Sequence, residues 1–172
     1  MSQIPVQDLM NRQVPSVLED ATINDVAVAL LEHDSAEVYV VNRGGLLKGV
    51  VPEYEILKAR LCGTPRTDPV APLITRNPRT VAPQTAVLEV AGLFRTGFCS
   101  SMAVVDQNRR LLGQLTRREV IWAITTLDRL EHNTTDTPGP HHEPPGHSIP
   151  EPQFLRRRSI LLRNLSSATE NR

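Results

Sequence analysis

Thr116 and Glu119 stand one helical turn apart in the segment Gly113-Gln-Leu-Thr-Arg-Arg-Glu119. Thr-x-x-Glu at a helix start is a capping box. Its hydroxyl and carboxylate satisfy two N–H groups that the helix leaves unbonded, and about 1 kcal/mol is at stake. The same geometry suits a ligand. A helix N-terminus offers free N–H groups and a partial positive charge to a phosphate. The hydroxyl adds a donor, and a carboxylate accepts hydrogen bonds from ribose hydroxyls. Arg117 and Arg118 flank the place where a phosphate would lie, whereas Arg109 and Arg110 sit at the tip of a turn. A surface Arg is otherwise only solvated, so the sequence leaves both readings open.

Other reactive side chains lack a setting for catalysis. Ser100-Ser101 sits in no nucleophile elbow, with no His placed to activate it. Neither a P-loop nor GxGxxG occurs. His141-His-Glu-Pro-Pro-Gly-His147 has metal-ligand residue types, but in a proline-rich stretch without a scaffold to fix a zinc geometry. Cys62 and Cys99 have no CxxC partner and read as ordinary thiols of a reducing compartment. The expectation is no enzyme, no metal and no cofactor.

Composition narrows the partners. Over 172 residues, 19 Lys plus Arg balance 19 Asp plus Glu, so no global field draws the chain to nucleic acid or an acidic membrane. Aromatic residues are 3%, too few for base-stacking platforms. No apolar run approaches the roughly 20 residues that cross a bilayer. The N-terminal MSQIPVQDLMNRQV does not read as a signal peptide, and a cytoplasmic location is expected.

The elements that would position Thr116 and Glu119 come from an internal repeat. Residues 6–59 lie over 70–123 without a gap, at an offset of 64. Val6 meets Val70, Leu9 meets Leu73, Val26-Ala27 meets Val90-Ala91, Val40-Val41 meets Val104-Val105, Gly49 meets Gly113, and Glu55 meets Glu119. Each copy starts with a short extended piece, Val14–Val17 or Arg79–Val81. A helix follows. Its stripe is Ile23, Val26, Ala27, Leu30 and Leu31 in copy one, capped by Thr22. In copy two it is Val87, Val90, Ala91 and Phe94, with Thr85 as the expected cap. Two strands come next, Val38–Val41 with Leu46–Val51 and Met102–Val105 with Leu111–Leu115, joined at Asn42–Gly45 and Asp106–Asn108. A last helix begins near Pro52 or Thr116.

This β-α-β-β-α order resembles the CBS (cystathionine-β-synthase-type) domain over about residues 4–130. The marks are Ala103-Val-Val-Asp106 and Gly113–Glu119, set against a family pattern of Gly, two apolar residues, Thr or Ser, two residues of any kind, then Asp. The resemblance implies an α+β fold of two tandem units packed through their sheets with pseudo-twofold symmetry. The boundaries read as repeat 1 over 1–64, repeat 2 over 65–130, a flexible Pro/His-rich linker over 131–153 and a basic amphipathic tail over 154–172. The resemblance further implies clefts that bind AMP, ADP, ATP or S-adenosylmethionine. Thr116 would touch ribose or phosphate, Glu119 would replace the family's Asp, and Thr80, Val81, Ser100, Ser101 and Met102 would form the adenine slot. Val81 and Met102 can equally be ordinary core.

Copy one departs from the pattern at Gly49-Val-Val-Pro52-Glu-Tyr-Glu55. Pro52 has neither hydroxyl nor N–H, and Glu53 and Glu55 add negative charge, so this second site is degraded. Trp122 falls roughly opposite the apolar face formed by Val120, Ala123, Ile124, Leu127 and Leu130, and is a candidate dimer contact. Phe154, Leu155, Leu161, Leu162 and Leu165 share a helical face in the tail, which is either a frayed end or a segment that docks on the module itself, on a partner protein or on an anionic membrane surface, a protein surface being favoured over the membrane. The expectation is a regulatory module that binds an adenine nucleotide, forms a homodimer and modulates a partner. The alternative is a ligand-free dimerisation scaffold.

Overall fold

The computed structural model of the chain describes residues 4–96 and 100–132. Cys99, the linker with His141–His147, and the tail with its apolar face lie outside the described residues. The elements run α1 (Val6–Leu9), β1 (Ser16–Leu18), α2 (Ile23–His33), β2 (Glu37–Val41), β3 (Leu47–Pro52) and α3 (Glu53–Leu61). After a 3₁₀ turn at Ala71–Leu73 come β4 (Thr75–Arg76), β5 (Thr80–Val81), α4 (Val87–Thr96), β6 (Ser101–Val105), β7 (Leu111–Thr116) and α5 (Arg117–His132).

Two sheets form, ordered β1-β2-β3-β4 and β5-β6-β7. In each, the first strand is parallel to the second and the second antiparallel to the third. The repeat extends to irregularities: the register slips between Val40 and Val41, and again between Val104 and Val105. Alternation along the strands separates two faces. Val38, Val40 and Val51 pack with α2 and α3, while Met102, Val104 and Leu115 pack with α4 and α5. Tyr39, Leu47, Val50, Ala103 and Val105 form a third cluster between the sheets.

The sheets meet around a pseudo-twofold axis. The Leu47 N–H donates to the Arg109 carbonyl at 2.9 Å, and the Leu111 N–H donates to the Gly45 carbonyl at 3.0 Å. Each bond maps onto the other under the 64-residue shift. Gly45 and Arg109, also equivalent, both have positive φ, +76° and +61°.

The segment leading into each repeat enters the core of the other. Ile4, Val6 and Met10 join the α4/α5 core, and Val70, Leu73 and Ile74 join the α2/α3 core. Asn11 bridges Gln114 just as Thr75 pairs with Val50. The first N–H of α2 donates to Asp68 and that of α4 donates to Ile4, both at 2.9 Å.

Local chemistry explains the helix starts. The Thr22 N–H and hydroxyl donate to Asp25 Oδ2 at 2.9 and 2.8 Å, and the Asp25 N–H returns a bond to Thr22 Oγ1 at 3.2 Å. The backbone donor, aided by the hydroxyl, holds the Asp25 carboxyl below its ordinary value of 3.8. Helix α4 differs from expectation. It begins at Val87, so Thr85 stands one residue too early to cap it, and Ala86 occupies the place equivalent to Thr22.

Two further side chains depart from their expected faces. Leu31 is 84% exposed, because α2 meets its sheet through Ile23, Val26 and Leu30 and leaves the edge of the stripe in water. Trp122 is half-buried and packs against the α4/α5 core. The incoming N-terminal segment, which brings Leu9 to the same core, widens the covered surface beyond one stripe.

Candidate functional site

The antiparallel pairing of β6 with β7 sets Ser101 opposite Thr116 and Ala103 opposite Gln114, all on the face turned toward the other sheet. Ser100 stands just before β6, and its carbonyl accepts from the first N–H of α5, that of Arg117, at 3.2 Å. Ser100–Met102 and Thr116–Glu119 are therefore neighbours at one end of the hairpin. Thr80 joins them through its parallel pairing with Ala103. Val81 and Met102, 6% and 1% exposed, point the other way into the α4/α5 core. Arg117 and Arg118 are exposed on the first turn of α5.

Thr116 and Glu119 form the capping box. Glu119 Oε2 accepts from the Thr116 N–H at 2.7 Å and from the Thr116 hydroxyl, and Thr116 Oγ1 accepts from the Arg118 N–H at 3.2 Å. The carboxylate is folded back onto the helix start. In repeat 1 the matching place holds Pro52, the N-cap of α3, with no side-chain cap bond. Glu53 and Glu55 lie in that first turn, Glu53 exposed and Glu55 half-buried. The Glu53 N–H donates to the Ala36 carbonyl at 2.9 Å, matching Arg117 and Ser100.

The structure adds three residues that sequence reasoning missed. Tyr39, 1% exposed, sets its hydroxyl 2.7 Å from Ser101 Oγ and donates to Glu37 Oε1 at 3.0 Å. Ser101 also donates to Glu37. Glu37 and Ser101 are equivalents under the 64-residue shift, so this polar knot lies at the pseudo-twofold axis and ties the repeats together. Periodicity within one repeat carries no sign of such a cross-axis contact. The third residue is Gln114, 8% exposed on the same face. Its signal was legible: it stands where the family pattern asks for an apolar residue and where repeat 1 has Val50.

A separate open cleft of about 570 Å³ lies at the opposite end of β6, between residues 80–84 and 105–108. It shares only Thr80 and Val81 with the expected site. Among the described residues no group of three His, Cys, Asp or Glu side chains could hold a metal ion, and no helix is long and apolar enough to cross a membrane.

Two β-α-β-β-α units joined sheet to sheet about a pseudo-twofold axis, each with a strand that runs into a helix N-terminus, define a tandem pair of one repeated domain. The CBS domain sequence profile matches twice, at residues 6–61 and 70–126, and the chain belongs to the CBS domain family. It is 28% identical over 116 residues to a homoserine O-acetyltransferase of Methanocorpusculum labreanum, covering 67% of this chain and 23% of that protein. The chain thus spans about a quarter of the length of that curated relative. Among solved structures it is similar to a CBS domain protein from Pyrobaculum aerophilum complexed with AMP, at 27% identity and TM-score 0.65, covering 75% of this chain and 99% of that one. It is also similar to the CBS domain pair of protein MJ0100 in complex with 5′-methylthioadenosine and S-adenosyl-L-methionine. There the identity is 25% and the TM-score 0.62, covering 70% of this chain and 99% of that one.

Proposed function

We propose that this CBS-domain pair is a regulatory module that binds an adenosyl ligand (AMP, ADP, ATP or S-adenosylmethionine) at the Ser101–Thr116 end of repeat 2, and so modulates a partner protein. The observation that carries this reading is the asymmetry of the two helix starts. Repeat 2 sets Thr116, the α5 N-terminus, Arg117 and Arg118 beside Ser100 and Ser101. Repeat 1 sets Pro52 and two carboxylates at the matching place. A phosphate finds donors at the first, whereas at the second it meets a proline without an N–H and negative charge. The AMP and S-adenosylmethionine complexes of similar CBS pairs support the ligand class.

Binding changes a partner only if the ligand prefers one of two states of the module. The Glu37–Tyr39–Ser101 knot supplies such an element. Ser101 belongs both to the site and to the axis, so a ligand that takes its hydroxyl loosens the link between repeats. Exposed Tyr54, Leu57 and Leu61 on α3 support a homodimer through that helix rather than through Trp122.

A second reading, a scaffold without ligand, is favoured by one observation: Thr116 and Glu119 satisfy each other. A thermal-shift scan with AMP, ADP, ATP and S-adenosylmethionine separates the two. A ligand at about 100 times its dissociation constant adds roughly 2.7 kcal/mol, several degrees in Tm for a domain of this size. The regulatory reading expects at least one such shift, abolished in Thr116→Ala. If none of the four moves the wild-type transition, the scaffold reading replaces it.

A further inference from the structure

We propose that Gln114 is the residue that reads the base of the bound ligand and restricts it to adenine. This rests on the adenosyl-ligand reading above and goes beyond it by assigning the specificity to a side chain outside the Thr-x-x-Glu segment.

Gln114 is 8% exposed, yet its Oε1 is buried without a hydrogen-bond partner. Buried amide oxygens are rarely left so, because each has given up water for nothing. Its main chain is fixed: the Gln114 N–H donates to the Asn11 carbonyl at 2.9 Å, and its own carbonyl accepts from the Asn11 N–H at 2.8 Å. The strand therefore holds the carboxamide on the inter-sheet face, the face of Ser101 and Thr116. Opposite it in register is Ala103, whose methyl offers no donor to the carboxamide oxygen. On this face the Tyr39 and Ser101 hydroxyls are engaged with Glu37. Repeat 1 has Val50 at the equivalent place, so packing between the sheets does not call for an amide there.

A carboxamide presents an acceptor beside a donor. Adenine presents the complement on its N7 edge, an exocyclic N–H beside the ring acceptor N7, and Gln or Asn pairs with it through two hydrogen bonds. Oε1 would accept from the exocyclic amine and Nε2 would donate to the ring nitrogen. Hypoxanthine, with a carbonyl in place of that amine, sets two acceptors face to face. The position along β7 fits, since Thr116 lies two residue steps beyond Gln114. That is about 6.6 Å of extended chain, of the order of the span from a ribose to the amino edge of its base.

The test uses the full chain and two matched ligand pairs, AMP with inosine monophosphate and 5′-methylthioadenosine with 5′-methylthioinosine. Equilibrium binding is measured for the wild type, Gln114→Val (the residue of repeat 1) and Gln114→Met. The wild type is expected to prefer the adenine member of a pair about tenfold or more. Both variants should lose about tenfold in affinity for it and bind the two members alike. Their ligand-free Tm should rise by about 2–4 °C, because a buried amide without a partner has been removed. A purely structural glutamine would lower Tm instead. Variants that keep both the affinity and the adenine preference overturn the assignment to Gln114 and leave the adenosyl reading intact. A wild type that binds none of the four compounds overturns both.

Discussion

Gly49→Ala is expected to unfold at a clearly lower denaturant concentration than the wild type, with Gly113→Ala following it by a smaller margin. A Cβ at Gly49 would lie 2.3 Å from Ile74 Cγ2 and 2.7 Å from the Thr75 carbonyl oxygen. Neither atom yields easily. Thr75 belongs to β4, which pairs with β3 at this point, and Ile74 packs against the α2/α3 core. At Gly113 the added carbon would meet the Asn11 carbonyl oxygen at 2.8 Å and Met10 Sδ at 2.9 Å, and a thioether moves aside more readily than a β-branched side chain. Overpacking of this kind costs about 1–3 kcal/mol, and the Gly49 change belongs at the upper end. A urea titration reads it as a fall in midpoint. An unchanged midpoint for Gly49→Ala would mean that the segment leading into repeat 2 is not docked in the core of repeat 1, and the exchanged architecture would fail with it.

Tyr39→Ala should cost more still. The side chain is among the largest that are fully buried, and it fills the space between the sheets with Leu47, Val50, Ala103 and Val105. Emptying such a site costs about 3–5 kcal/mol. Tyr39→Phe separates shape from polarity. It keeps the ring and removes the hydroxyl that meets Ser101 and Glu37, for about 1–3 kcal/mol. The order wild type, then Phe, then Ala in urea midpoint is the expected result. Equal midpoints for wild type and Tyr39→Ala would show that the sheets do not depend on this contact.

The strands and helices were legible because apolar residues recur with the period of each element and the whole pattern recurs after 64 residues. The Thr22 cap was legible for the same local reason, since its partner lies three residues away. Thr85 was misplaced because Ala86, the true equivalent of Thr22, has no capping side chain, so the nearest hydroxyl drew the assignment. Pairing Val6 with Val70 is correct as an alignment, but it is silent on which core each valine enters, and the exchange of leading segments was invisible. Trp122 was placed off the core face, as a dimer contact, from one helix's geometry, whereas it packs on a core that the N-terminal segment with Leu9 helps to build.

The candidate site divides along the same line. Thr116 and Glu119 announced themselves by spacing. The Glu37–Tyr39–Ser101 knot joins residues about 64 positions apart across an axis, and only the folded chain brings them together. Gln114 is intermediate, a polar residue in an apolar position whose meaning needed the buried, unpartnered oxygen to be seen.

Titration calorimetry of the full chain with AMP tests the central claim most directly. The intact helix start of repeat 2 and the proline-blocked start of repeat 1 predict a single saturable event, with roughly one nucleotide bound per chain. Two equivalent sites per chain would contradict the asymmetry, and the absence of heat at any concentration, with no thermal shift, would contradict nucleotide sensing itself.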